Sequence, residues 1–110
     1  STGFAYAHEA NISDIELYEI AKIVADNNSY ISVHLRDESG NVVESVREVI
    51  TAAEQAKANL KISHLKVRHS ENWPLVTDVL AEIEGAWHRG VNVHFDVYPY
   101  TSTSFCTYHI

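Results

Sequence analysis

At 110 residues the chain has room for one small domain, and a hydrophobic content of 45% is that of a folded core rather than of a disordered chain. The formal net charge of −7 and pI of about 5.4 exclude a binder of phosphate backbones, so nucleic acid is not an expected partner. A single cysteine, Cys106, offers neither an internal disulfide nor a zinc-ribbon spacing and fits a reducing, cytoplasmic setting; no apolar run approaches the roughly 20 residues of a membrane span, so no membrane is expected either.

Ser1 to Tyr6 reads as the end of a strand passing into a loop. Ser13 with Glu16 three residues later is a capping-box pattern, and Leu17, Ile20, Ala21 and Val24 then recur at helical spacing. The first helix is therefore expected over about 13 to 26, closed by Asn27 and Asn28, since asparagine tolerates the left-handed conformation. Tyr30 to Arg36 is a strand with Ile31, Val33 and Leu35 on one face and Ser32, His34 and Arg36 on the other. The alternation sets His34 beside Arg36.

Asp37 to Asn41 has turn chemistry, and Val43, Val46, Val49, Ile50 and Ala53 predict a second helix over roughly 42 to 57. Leu60 to Leu65 is the next strand, running into Lys66, so that His64 pairs with Lys66 as His34 does with Arg36. After a loop to Glu71, Asn72 is placed to cap a third helix with Pro74 in its first turn. Val76, Val79, Leu80 and Ile83 form its expected buried stripe, and Gly90 ends it. Val91 to Tyr98 is the last strand, apolar at Val91, Val93, Phe95 and Val97 and polar at Asn92, His94, Asp96 and Tyr98.

Strands therefore begin near 30, 60 and 91 with one helix between each pair, a βα repeat whose right-handed crossovers make the sheet parallel. A sheet covered by helices on both sides would have nearly continuous apolar strands. These strands instead carry a polar face that gains residues of catalytic type toward its carboxyl end, as in a (β/α)8 barrel. A barrel takes about 250 residues. The expected fold is thus α/β, a segment of a TIM barrel with about three parallel strands alternating with three helices, over residues 1–110.

Ser1-Thr2-Gly3 with Tyr6, His34-Leu35-Arg36-Asp37-Glu38, Ile62-Ser63-His64-Leu65-Lys66, Asn72-Trp73, and Asp96-Val97-Tyr98-Pro99-Tyr100-Thr101 together resemble the central part of the N-acyl-D-amino-acid deacylases, or D-aminoacylases, among the metal-dependent amidohydrolases. The resemblance implies a stretch from the end of barrel strand four through strand seven. It implies zinc as the cofactor, with His34 and His64 as ligands on strands five and six. It further implies substrate contacts from Tyr6, Lys66, Tyr98 and Ser104, Tyr98 acting at the scissile carbonyl and Lys66 on the carboxylate of a small N-acyl amino acid. The family's other parts, a His-x-His pair, a cysteine ligand and a general-base aspartate, have no counterpart here, so the segment alone is expected to neither turn over substrate nor hold zinc tightly.

Beside these stand plainer roles. A lone strand histidine is more often a hydrogen-bonded structural residue than a ligand, which is the reading given to His94. His8, His69, His88 and His109 fall in predicted loops or at a helix end and are expected in solvent, while Trp73 and Trp87 are expected to anchor packing. Arg36, Asp37 and Glu38 either orient His34 or pair with one another. Two other functions remain open: a dihydroorotase-like or hydantoinase-like amidase, which would not need Tyr98-Pro99-Tyr100, and a non-catalytic α/β module that self-associates through open sheet edges.

Overall fold

The computed structural model describes residues 1–6 and 9–104, so His8, Cys106 and His109 lie outside the described residues. Strand β1 (Thr2–Gly3) is followed by helix α1 (Asp14–Asp26), strand β2 (Tyr30–His34), helix α2 (Val42–Ala56), strand β3 (Asn59–Ile62), a 3-10 segment (Ser70–Leu75), helix α3 (Val76–His88) and strand β4 (Val93–Phe95). The four strands form one parallel sheet in the order β1-β2-β3-β4. Sequential parallel strands joined by helices are the unit of a (β/α)8 barrel. The expected tail of a fourth strand is β1. No helix among the described residues is long and apolar enough to cross a membrane.

Local sequence explains most element ends. Ser13 accepts from the Glu16 amide while the Glu16 carboxylate accepts from the Ser13 amide, completing the capping box at α1. Asn28, Lys57 and Gly90 take positive φ angles of 56°, 55° and 83° just past the three helices, ending each with a left-handed residue. The core lies between the sheet and the helices. Ile31, Val33, Leu60, Ile62 and Val93 meet Leu17, Val42, Val46, Val49, Ile50, Val79 and Ile83, all buried.

Four expectations are corrected. The third helix starts at Val76 rather than Asn72, because Pro74, which cannot donate a backbone hydrogen bond, sits inside a 3-10 turn that precedes it. Its buried stripe is Val79, Ile83 and Ala86, which join the core shared with α2 and the sheet, while Val76 and Leu80 are exposed. Trp73 and Trp87 are exposed too, and Trp87 serves instead as a donor, its Nε1 reaching the Val93 carbonyl at 2.7 Å. Finally, β3 ends at Ile62 rather than Leu65, and β4 spans Val93–Phe95 rather than Val91 to Tyr98. Past Phe95 the chain leaves the sheet and Val97 is exposed.

Arg36 is also not beside His34. The strand ends at His34, so the period-two rule no longer governs the residues after it. The Arg36 guanidinium turns away to hold Glu48 of α2 at 2.7 Å, the carbonyls of Ala10 and Ile12, and the face of Phe4. It ties the loop after β1 to α2. Replacing Arg36 by alanine removes a bidentate ion pair and is expected to lower stability by about 2 kcal/mol in urea unfolding, with lysine restoring little because it lacks the planar fork.

A candidate metal centre beyond the strand ends

The carboxyl ends of β2 and β3 bring the two predicted ligands together. His34 is the last residue of β2 and pairs in register with Gly3 of β1. His64 is two residues past the end of β3, in a turn where its φ of 42° is left-handed. Its sequence predicts a strand there. A non-glycine residue held in that region costs energy and persists where the surroundings fix it. Here the fixing group is Asp96: its carboxylate accepts the His64 amide hydrogen through Oδ1 and meets Lys61 Nζ at 2.8 Å through Oδ2. The Lys61 ammonium and the His64 amide hold the Asp96 carboxyl below its usual range.

Nδ1 of His34 and Nε2 of His64 lie 2.9 Å apart, with ring centroids 4.5 Å apart in an edge-on arrangement. Both nitrogens are within reach of one cation, since bonds from zinc to imidazole nitrogen are about 2.0–2.1 Å long. Burial pushes the His34 pKa down from its ordinary 6.5, and nearby His64, Lys66 and Arg68 act the same way against the attraction of Glu38. A ring kept neutral is a ring with a free lone pair. The sign for stability follows: below about 6.5 the unfolded chain takes up a proton that folded His34 resists, so stability should fall as pH drops from 6.5 through the lower folded value. A His34→Gln variant should show a shallower acid slope in denaturation experiments.

On the opposite side of the same two rings lies a buried carboxylate. Oε1 of Glu38 sits 3.2 Å from His64 Nδ1, 4.0 Å from His34 Nε2 and 3.0 Å from Lys66 Nζ. His34, Glu38 and His64 together form a group able to hold a metal ion, the donor chemistry of two imidazoles and a carboxylate being suited to zinc. Lys66 also approaches His64, at 3.1 Å from Nδ1 and 3.2 Å from the carbonyl oxygen.

Of the remaining predicted residues, Tyr6, Lys66 and Tyr98 fall into two clefts and Ser104 into neither. Tyr6 lies in one with His34 and His64, its ring 5.2 Å from that of His34, and it packs so closely over Gly3 that a Cβ there would meet it at 2.5 Å. Tyr98 shares the other with Lys66, whose ammonium is 5.4 Å from the centre of its ring. Ser104 is exposed and is not among the residues lining either cleft. His94, also exposed, bonds Asn92 at 2.8 Å, the structural role expected of it. Two residues gain importance over their reading in the sequence, Glu38 and Asp96. Asp96 had a signal, since it falls on the polar side of the sequence expected to form the last strand, with Asn92, His94 and Tyr98.

No protein-family model matches the chain. It is 32% identical over 104 residues to an N-acyl-D-glutamate deacylase of Alcaligenes xylosoxydans xylosoxydans, covering 94% of this chain and 21% of that protein. Its fold superposes with a TM-score of 0.86 on the N-acyl-D-glutamate deacylase of Bordetella bronchiseptica, solved with zinc and a phosphonate mimic of the tetrahedral intermediate, at 31% identity over 88% of this chain and 20% of that one. The chain is homologous to a segment of the N-acyl-D-amino-acid deacylases. A D-aminoacylase structure that defines a subset of amidohydrolases also matches, with a TM-score of 0.80 and 28% identity over 88% of this chain and 20% of that one. The chain thus spans about a fifth of the length of these deacylases, and its parallel α/β sheet corresponds to a segment of their barrel.

An expected effect follows for Asp96. Asp96→Ala releases the amide of His64, an expected ligand, and loss of a group that orients a ligand typically costs 10–100-fold in metal affinity. Tenfold or more weakening of zinc binding is expected in competition with a chromophoric chelator.

Proposed function

We propose that the chain forms part of a zinc-dependent barrel amidohydrolase that hydrolyses the amide bond of N-acyl-D-amino acids to a carboxylate and a free D-amino acid. The observation that carries this reading is the 2.9 Å approach of His34 Nδ1 to His64 Nε2 beyond the carboxyl ends of adjacent parallel strands, with Lys66 beside them. Zinc held there would supply a water acidified toward neutrality and a Lewis acid for the amide carbonyl.

The chain's own residues account for recognition. Lys66 presents an ammonium to the substrate carboxylate, the charge-assisted pairing that fixes an amino-acid end. Tyr98 lines the same cleft and would donate its phenolic hydrogen to the carbonyl oxygen as negative charge develops there. Tyr6 lines the metal side, and Ser104 is a supporting donor carried by resemblance. A catalytic zinc commonly has three protein ligands. Two imidazoles are too few, so the rest of the ligand set and the general base come from other parts of the barrel. The 110-residue chain by itself is therefore expected to show no turnover and weak zinc binding. Its outer strands β1 and β4 each have one open edge, which favours self-association of that isolated chain. The single cysteine supports a reducing compartment, the cytoplasm.

The test is a zinc determination on the complete barrel enzyme with release of carboxylate from N-acetyl-D-amino acids, acidic and neutral, and from their L forms. Zinc-dependent hydrolysis of the D forms is expected. Preference for a cyclic amide such as a hydantoin would overturn the assignment.

A further inference from the structure

Glu38 is buried, and one of its oxygens meets three nitrogens of the site: His64 Nδ1 at 3.2 Å, Lys66 Nζ at 3.0 Å and His34 Nε2 at 4.0 Å. The two imidazoles turn their other nitrogens, His34 Nδ1 and His64 Nε2, toward each other on the far side. A cation shared by that close pair therefore lies away from Glu38. On the Glu38 side the place of a cation is taken by the Lys66 ammonium.

The tautomer of His64 decides whether it can be a ligand. Its Nδ1 faces both Glu38 and Lys66, at 3.2 and 3.1 Å. If Nδ1 accepted from the lysine, the ring hydrogen would sit on Nε2 and no lone pair would face His34. If Nδ1 instead donates to the carboxylate, Nε2 is free to ligate. A buried carboxylate, which only accepts, favours the second state. The same oxygen takes one of the three Lys66 hydrogens, turning the ammonium so that another is left for an incoming carboxylate.

Resting on the deacylase reading above, we propose that Glu38 is a positioning residue that couples the two halves of the site: it holds the metal ligand His64 in its Nδ1–H tautomer and aims Lys66 at the substrate carboxylate. Glu38 is then a partner of the ligand rather than a ligand itself.

The experiment uses Glu38→Gln and Glu38→Asp in the complete enzyme. Zinc affinity, read by chelator competition, is expected to weaken 10–100-fold in Glu38→Gln. At saturating zinc its KM for an N-acetyl-D-amino acid should rise at least tenfold with a smaller change in kcat, and Glu38→Asp should recover part of both. In a Lys66→Met background the KM effect of Glu38→Gln should vanish while its effect on zinc remains. Equal losses in both backgrounds, or unchanged zinc affinity, would overturn the proposal. So would a cobalt spectrum of Glu38→Gln altered in the manner of a lost ligand with KM preserved. Should neither variant fold, nitrogen chemical shifts of the His64 ring in the metal-free wild type decide: a hydrogen on Nδ1 supports the assignment and one on Nε2 defeats it. Wild-type protein that binds zinc but hydrolyses no N-acyl-D-amino acid would sink the functional reading alone, since the zinc and ring-nitrogen measurements require no substrate.

Discussion

Replacing His64 with alanine in the complete enzyme should strip the zinc and lower hydrolysis of N-acyl-D-amino acids by about 10³-fold or more. Changes to groups that merely orient a ligand cost about 10–100-fold. In the proposed mechanism, removing the ligand nitrogen should exceed that, because the nucleophile would depend on an ion held there. His34→Ala should behave alike, since its Nδ1 is the other half of the 2.9 Å pair. His94→Ala is the contrast: exposed, and with its ring bonded to Asn92 two residues away, it should leave zinc content and rate nearly unchanged. A His64→Ala enzyme with normal zinc and rate, by metal analysis and initial-rate assay, would remove the metal assignment.

The second large effect is expected at Lys66. A hydrogen bond between charged partners contributes about 1.5–3 kcal/mol, so Lys66→Met should raise KM by roughly 10–150-fold while methionine keeps the packing of the stem. The loss should be specific to the carboxylate: an N-acyl amine without that group should be handled equally by wild type and variant. Stability should fall as well, because Glu38 is buried and loses the ammonium 3.0 Å away. Adding Glu38→Gln to Lys66→Met should restore part of the lost thermal stability, which calorimetry can read.

What the sequence makes legible is mainly local. The Ser13 to Glu16 box, the asparagines after α1 and Gly90 after α3 act within a few residues of themselves, and each ends or begins an element where expected. That His34 and His64 meet beyond the strand ends was readable from spacing and resemblance together. Less legible is where an alternating pattern stops being a strand. The strand expected to run to Leu65 has its ladder end at Ile62, and the His64 amide is taken instead by the carboxylate of Asp96, just past β4. Arg36 shows the same limit: two residues from His34, it belongs to a different side of the fold once the chain has left β2. Glu38 was visible as an acidic residue in a turn. That its single oxygen would bridge a lysine and an imidazole some thirty residues away depends on tertiary closure, which alternation and spacing do not encode.

Sheet order that follows chain order has a kinetic side. Every strand pairs with the one made just before it, so each closure spans only about thirty residues, as from His34 to His64. The entropy lost in closing such a loop grows only logarithmically with its length, and repeated short closures are far quicker than a single long one. The ends of β2 and β3, where the imidazole pair lies, therefore meet through one short closure rather than a long one.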